Sequence, residues 1–307
     1  MIISIIICTY NRSQYLKKVL ENLLLLKNDG SFDHEIIIVD NNSKDNTQEI
    51  VESYILKNNK FKYFFEPKQG KSNALNTGIS RSIGDIIAFT DDDVIINNDW
   101  VQNIANFSKE NDFDAIGGRI IPLYCDGTPQ WIKDCSDILS GPIVNHDYGE
   151  EIQPYNKKML PFVGANMVIK QKMFKDYGGF NVRLGAGTGT MGEDSEFYRR
   201  LQSANMRIFY NPKILIIHPV DKNRMNLKYF AQWHMSSGKH FALKNIEDKK
   251  KDLVFIFGAP RYLFREVIHF LWCMVKSIGN TRLFIKAYTE FFIRIGMIKA
   301  YRYEHLH

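Results

Sequence analysis

Cysteine is scarce and unpaired in this sequence. Cys8, Cys125, Cys135 and Cys273 form no C-x-x-C pair. That excludes a zinc ribbon and a disulfide-stapled scaffold and fits a reducing compartment. Long hydrophobic runs are missing as well: no stretch of eighteen uncharged apolar residues exists, so no spanning helix is predicted. The apolar run Ile2–Ile7 has no basic flank and is too short for an export signal. It runs straight into polar Thr9-Tyr10-Asn11-Arg12, so no targeting segment is expected. Internal repeats and low-complexity tracts are also absent.

What is there suits a globular chain with a sizeable core. Of 307 residues, 45% are hydrophobic and 24% charged, which excludes a disordered chain, a collagen and a mucin-like stalk. The net charge of +6 is unevenly placed. Residues 1–218 carry 24 Lys+Arg against 27 Asp+Glu, whereas residues 219–307 carry 16 against 7. A basic tail behind a near-neutral body points to a polyanionic neighbour, either nucleic acid or an anionic membrane.

Ile2–Cys8, Glu35–Val39, Lys62–Phe65 and Asp85–Thr90 read as strands, several of them continuous β-branched runs. Helices are predicted between them over Tyr15–Lys27, Thr47–Leu56 and Ser72–Arg81. The alternation implies a parallel sheet covered on both faces, with its ligand at the carboxyl ends of the strands. Polar clusters fall at those ends. Residues 122–160 read as loops over the site, Phe162–Lys170 and Ile214–His218 as strands, and Glu193–Ala204 as a helix. Beyond Pro219 the pattern is helical, with candidates over Leu227–Leu243, Tyr262–Ile278 and Leu283–Ile298.

Asp91-Asp92-Asp93 directly follows a buried strand. Three adjacent carboxylates repel unless something screens them. They suit a hard divalent cation bridging a diphosphate, or a solvated acidic turn that caps a helix. Glu193-Asp194 opens a helix. The pair is either a cap favoured by the helix dipole or a general base with its neighbour. His218 ends an apolar strand and is either a satisfied polar group or a third metal ligand. Gly187–Gly192 spells G-x-G-x-x-G. No strand immediately precedes it, however, and two carboxylates follow it, so it is read as a flexible loop and not a dinucleotide site.

Five motifs occur in order: Cys8-Thr9-Tyr10-Asn11-Arg12, Val39-Asp40-Asn41-Asn42-Ser43, Gly70-Lys71-Ser72-Asn73-Ala74-Leu75-Asn76, Phe89-Thr90-Asp91-Asp92-Asp93 and Gly192-Glu193-Asp194. Together, over roughly residues 1–220, the chain resembles a family 2 glycosyltransferase of the GT-A fold, bacterial-type and non-processive. The fold implied is α/β, a Rossmann-like nucleotide-sugar-binding mixed sheet flanked by helices, with a C-terminal helical extension. Its divisions would be a nucleotide-sugar half over 1–100, an acceptor and catalytic half over 101–220, and a basic helical extension over 221–307.

The resemblance also implies roles. Thr9, Tyr10, Arg12, Asp40, Asn42, Lys71, Asn73, Asp91 and Asp92 would bind the nucleotide sugar. Asp91, Asp93 and His218 would hold Mn²⁺ or Mg²⁺. Gly164, Ala165 and Asn166 would pass near the donor sugar and acceptor. Asp194 would be the base, with Glu193 assisting. The expected reaction is inverting transfer from a nucleotide sugar, a UDP-sugar first, to a glycan or lipid-linked acceptor in cell-surface polysaccharide or glycoconjugate synthesis. Many members have Ala-Arg-Asn where this chain has Ala74-Leu75-Asn76, and Lys71 would then compensate for the missing arginine. The Q-x-x-R-W motif of processive synthases is absent. A nucleotidyltransferase making nucleotide sugars and a catalytically silent scaffold are the alternatives. The basic, aromatic-rich tail, including Lys249-Lys250-Lys251, is expected to contact an anionic membrane at the cytoplasmic inner face and not nucleic acid; the alternative is that its helices simply pack on the catalytic domain.

Overall fold

A computed structural model describes residues 1–156, 158–188, 190–247 and 253–306. Gly189 and the Lys249-Lys250-Lys251 run lie outside the described residues. In chain order the elements are β1 (Ile2–Thr9), α1 (Ser13–Leu23), β2 (Asp33–Asp40), α2 (Thr47–Ile55), β3 (Phe61–Phe65), α3 (Lys71–Arg81), β4 (Ile86–Thr90), β5 (Ile95–Ile96), α4 (Trp100–Glu110) and β6 (Ala115–Tyr124). Next come α5 (Gln130–Asp134), α6 (Ser140–Ile143), β7 (Gln153–Pro154), β8 (Asn166–Lys170), α7 (Gln171–Tyr177), α8 (Glu193–Ser203) and β9 (Ile208–Val220). Last are α9 (Leu227–Glu247), the hairpin strands β10 (Phe255–Ile256) and β11 (Ala259–Pro260), α10 (Arg261–Lys276) and α11 (Thr281–Leu306).

The chain divides into two compact units. The first comprises residues 1–123, 146–188 and 193–219, and the second 124–145, 189–192 and 220–307. In the first unit one mixed sheet runs in the order β3-β2-β1-β4-β8-β6-β9-β5, with β7 on β9. β1 pairs in parallel with β2 and β4, and β2 with β3; β8 lies antiparallel to both β4 and β6. The β-branched residues of β1, β2 and β4 are buried on both faces, as sheets covered by helices require. A core of Ile6, Val39, Phe89, Met167, Phe174 and Phe197 lies within it. Gly78 lets α3 approach β1, since a Cβ there would stand 2.7 Å from Cγ2 of Ile6.

Several expected elements differ from those observed. Residues 100–124, for which the sequence predicts no element, form α4 and β6. Within β6, Gly117 and Gly118 look like breakers. They are small because Tyr155 and Asn166 occupy the space that a Cβ would take. β8 begins at Asn166, not Phe162. β9 starts six residues earlier than expected, at Ile208. Residues 122–160 are not all loop: α5, α6 and β7 lie within them, and a β-hairpin separates the C-terminal helices. In the second unit Ile132, Leu139 and Ile143 pack with Phe230 and Ile285, so part of the expected loop region belongs to the helical unit's core.

One buried carboxylate ties the edge of the parallel strands opposite the polar clusters. Glu35 accepts from Ser4 Oγ (2.5 Å), the Ile83 amide (2.8 Å) and Lys62 Nζ (2.5 Å). Burial opposes its ionisation, but these donors hold its pKa below the usual range. Glu35→Ala should cost about 2–3 kcal/mol by stranding buried donors. Urea unfolding checks this, and a loss within error would mean water takes over those bonds.

Candidate active site

The carboxyl ends of β1, β2 and β4 converge, because Thr9 pairs in register with Asp40 and Ile7 with Thr90. The chain leaves each of these strands in a polar turn. Asn11 and Asn42 adopt the left-handed region, with φ of 52° and 67°, where asparagine is tolerated better than most residues. Asp40 is buried. Its Oδ1 accepts from the Ser43 amide and its Oδ2 from the Tyr63 hydroxyl, both at 2.9 Å. Asn42 accepts from Lys44 Nζ at 3.0 Å, and Asn73 donates to the Gln69 carbonyl at 3.0 Å. Tyr10 is exposed at the end of β1.

Asn41 has a structural part that its place in the motif does not predict. Its buried amide donates to the carbonyls of Glu66 and Lys68 and accepts from the Gly70 amide. It thereby holds the turn that delivers Lys71. Gly70 itself has φ 126°, a conformation that favours glycine. The segment ending at Thr188 crosses the same turn: the Lys71 amide donates to the Ala186 carbonyl and Ser72 Oγ to that of Leu184. The only sequence signal for Asn41 was its place within a strand-end polar cluster.

The three adjacent carboxylates are each answered by a different set of side chains. Asp91 Oδ1 lies 2.7 Å from Lys71 Nζ. Asp92 accepts from Thr9 Oγ1 at 2.7 Å and from Arg12 at 2.9 Å. Asp93 accepts from Arg12 at 2.5 Å, and its Oδ1 stands 3.8 Å from His218 Nε2. Burial pushes Asp92 up to about 7, against the pull of Arg12 and Thr9. Burial also opposes the charge on Asp91, yet Lys71, His218 and Arg12 hold its pKa below the ordinary value. Protein cations therefore do much of the screening that the sequence alone assigned to a metal or water.

Lys71 links this triplet to the start of α8. Its Nζ lies 4.0 Å from Glu193 Oε1. Burial works against its charge, but Asp91, Glu193 and Asp194 keep it firmly protonated. Glu193 is buried, and burial first, then the neighbouring Asp194 charge, raises it to about 7 despite Lys71. Asp194 is half-buried. Its Oδ2 accepts from the Gly164 amide at 2.9 Å and its Oδ1 from the Ser195 amide at 2.6 Å. Gly164 thus borders Asp194, and Ala165 is buried beside it.

Asn166 faces elsewhere. It is fully buried. Its Oδ1 accepts from Trp100 Nε1 at 2.9 Å, and its Nδ2 donates to the carbonyls of Arg119 (2.9 Å) and Ile214 (2.8 Å). Its amide is spent on joining α4, β6 and β9.

Among the described residues, no group of three or more His, Cys, Asp or Glu side chains is gathered as a metal site. Asp91, Asp93 and His218 are therefore not assembled into one cluster, because Asp91 is drawn to Lys71. Asp93 and His218 do fit a divalent cation as a pair. Two ligands each about 2.0–2.2 Å from one ion can stand up to roughly 4.4 Å apart, and their facing atoms are 3.8 Å apart.

Known proteins resemble this chain in sequence and in fold. The chain is 25% identical over 244 residues to the succinoglycan biosynthesis protein ExoM of Rhizobium meliloti, covering 77% of this chain and 73% of ExoM. Across ExoM and two further curated relatives the chain spans 51–73% of their lengths. Among solved structures, it matches the mannosyltransferase PcManGT from Pyrobaculum calidifontis in complex with GDP-Man and Mn²⁺ at TM-score 0.58 and 20% identity, covering 81% of this chain and 65% of that one. It matches S. aureus TarS 1-349 in complex with UDP-GlcNAc at TM-score 0.58 and 17% identity, covering 98% and 90%. These likenesses establish the mixed-sheet GT-A fold. The family model described as glycosyl transferase family 2 matches residues 4–178, more than half of the chain, and the chain is therefore a member of glycosyltransferase family 2.

Proposed function

We propose that the enzyme is an inverting, metal-dependent glycosyltransferase. It would move one sugar per encounter from a nucleotide sugar, a UDP-sugar first, to an acceptor hydroxyl in cell-surface polysaccharide or glycoconjugate synthesis. One observation carries the reading: Lys71 lies between Asp91 and Glu193, so the donor-side carboxylates and the candidate base pair border one ammonium. The relatives support the class. ExoM is named for succinoglycan biosynthesis, and the two solved neighbours were captured with GDP-Man and with UDP-GlcNAc. Neither the nucleotidyltransferase nor the silent-scaffold alternative has comparable support.

Thr9, Tyr10, Asp40, Asn42 and Asn73 would take the nucleoside end of the donor, and Arg12 and Lys71 its phosphates. Asp93 and His218 would hold Mn²⁺ or Mg²⁺, and Asp91, paired with Lys71 in this structure, would join them on giving up that partner. When bound, the cation supplies Lewis-acid neutralisation of the charge on the departing nucleoside diphosphate. Asp194 Oδ2, held by the Gly164 amide, would accept the proton of the attacking hydroxyl. A single displacement at the anomeric carbon then inverts its configuration. Glu193 would hold the Lys71 ammonium and tune Asp194 by its proximity. Asn166 is left out of the sugar-contacting set because its amide is fully engaged. The acceptor would be a glycan or a lipid-linked sugar, met on the cytoplasmic side of an anionic membrane. The basic excess of residues 219–307 supports that location.

The test is donor hydrolysis across UDP-, GDP-, dTDP- and CMP-sugars with Mn²⁺, Mg²⁺ or EDTA, on wild type and Asp93→Ala. Nucleotide release from one donor is expected, abolished by EDTA and lowered roughly hundredfold or more in the variant, the scale of losing one electrostatic stabiliser. Release that ignores EDTA would overturn the metal dependence. A chain that neither binds nor hydrolyses any nucleotide sugar would overturn the reading.

A further inference from the structure

Helix α10 carries apolar side chains on its outer side. Leu263 is its fully buried residue, and it packs with Ala242, Ala259, Met297 and Tyr301. The opposite side presents Ile268, Leu271, Trp272 and Val275, each 51–68% exposed. Their spacing of i, i+3, i+4 and i+7 places them on one stripe. Ile278, just past the helix, is 79% exposed and extends it. A helix facing only water normally carries polar residues there, and contiguous exposed apolar area marks an interaction surface.

The charges around the stripe indicate what covers it. Arg265 and Lys276 are exposed along the same face, and Lys276 Nζ sits 3.8 Å from the Trp272 ring centroid. Between residues 253 and 289 the sequence has one carboxylate, Glu266. That carboxylate is engaged by Arg294 Nε at 2.7 Å and does not offset the outward cations. An apolar centre with a cationic edge and a tryptophan suits the interface of an anionic bilayer. A symmetric contact with a second copy would set Arg265 and Lys276 against their own like charges. No described helix is long and apolar enough to cross a membrane, so α10 would lie in the interface plane.

We propose that the outward face of α10 is a lipid-binding surface. Ile268, Leu271, Trp272 and Val275 enter the acyl boundary, and Arg265 and Lys276 meet anionic headgroups. The assignment deepens the membrane-side reading given above and rests on it only for location; the transfer chemistry is independent of it. It assigns membrane contact to one helix face and not to the tail's charge as a whole.

Sedimentation with vesicles of phosphatidylcholine plus phosphatidylglycerol, and of phosphatidylcholine alone, tests it on the full chain. Wild type should bind the mixed vesicles roughly tenfold or more tightly than the neutral ones, given two headgroup-facing cations. The variant L271S/W272S/V275S should lose binding to both by a similar factor or more. R265S/K276S should lose most of the preference for the mixed vesicles, and an undiminished preference would overturn the part given to these two cations. All these positions are exposed, so both variants should unfold at the wild-type temperature and hydrolyse donor in solution at the wild-type rate. Wild type that stays in the supernatant would overturn the proposal, as would L271S/W272S/V275S binding like wild type. Sedimentation velocity showing self-association that this variant abolishes would assign the face to a second copy instead. Absent donor hydrolysis in a wild type that still binds vesicles would count against the transferase reading alone.

Discussion

Asp194→Asn should slow sugar transfer about 10²–10⁴-fold, the usual contribution of a positioned general base. The substitution keeps the side chain's size. One amide oxygen still accepts from the Gly164 amide, which Asp194 Oδ2 does now at 2.9 Å, while the Ser195 amide loses the acceptor that Oδ1 gives it at 2.6 Å. Nucleotide affinity should therefore hold and the melting temperature fall only slightly, because the Ser195 amide is only part-buried, while kcat falls. This pattern separates a lost proton acceptor from a disturbed fold. Glu193→Gln is the control. Glu193 is buried and borders Lys71, so its loss should weaken the grip on Lys71 and cost less in rate. A greater loss in Glu193→Gln than in Asp194→Asn would exchange the two roles. Unchanged transfer in Asp194→Asn would remove it as the base.

Asn166→Ala should destabilise the protein by about 3–5 kcal/mol, since each buried polar group left without a partner costs about 1–3 kcal/mol. Three groups lose their partner: the Trp100 indole N–H and the carbonyls of Arg119 and Ile214. The loss should be less than additive, because a small cavity beside Gly118 admits some relaxation. Calorimetry or urea unfolding checks it. At temperatures where the variant is folded, its Michaelis constant for donor should stay near wild type. A stable Asn166→Ala with a weakened donor constant would return Asn166 to the sugar-contacting set.

The parallel half of the fold was legible because its signals are local. β1, β2 and β4 are continuous β-branched runs, and such runs are buried wherever they form. α4 and β6 were not read, although α4 buries Trp100, Val101, Ile104 and Ala105 at helical spacing. The strand was hidden by Gly117-Gly118, which look like a turn until Tyr155 and Asn166 are seen to fill the space above them. The short helices α5 and α6 lie in a stretch rich in Pro and Gly and owe their order to packing with Phe230 and Ile285, far along the chain.

For the candidate site, local sequence context named the acidic triplet and the Glu193-Asp194 pair. It also marked the ends of β1, β2 and β4 as the place for chemistry. It assigned the basic excess to the last ninety or so residues as well. Those features depend on neighbours in the chain, where local spacing decides. Tertiary structure decided which cation answers which carboxylate. Arg12 reaches Asp92 across 80 residues and Lys71 reaches Asp91 across 20, distances that strand order closes and spacing does not encode. It also turned Asn166 into the sheet and made Asn41 the holder of the Lys71 turn. On α10 it buried Leu263 and left Trp272 outside, because a helix's periodicity defines its faces while only its packing partner selects which one is covered.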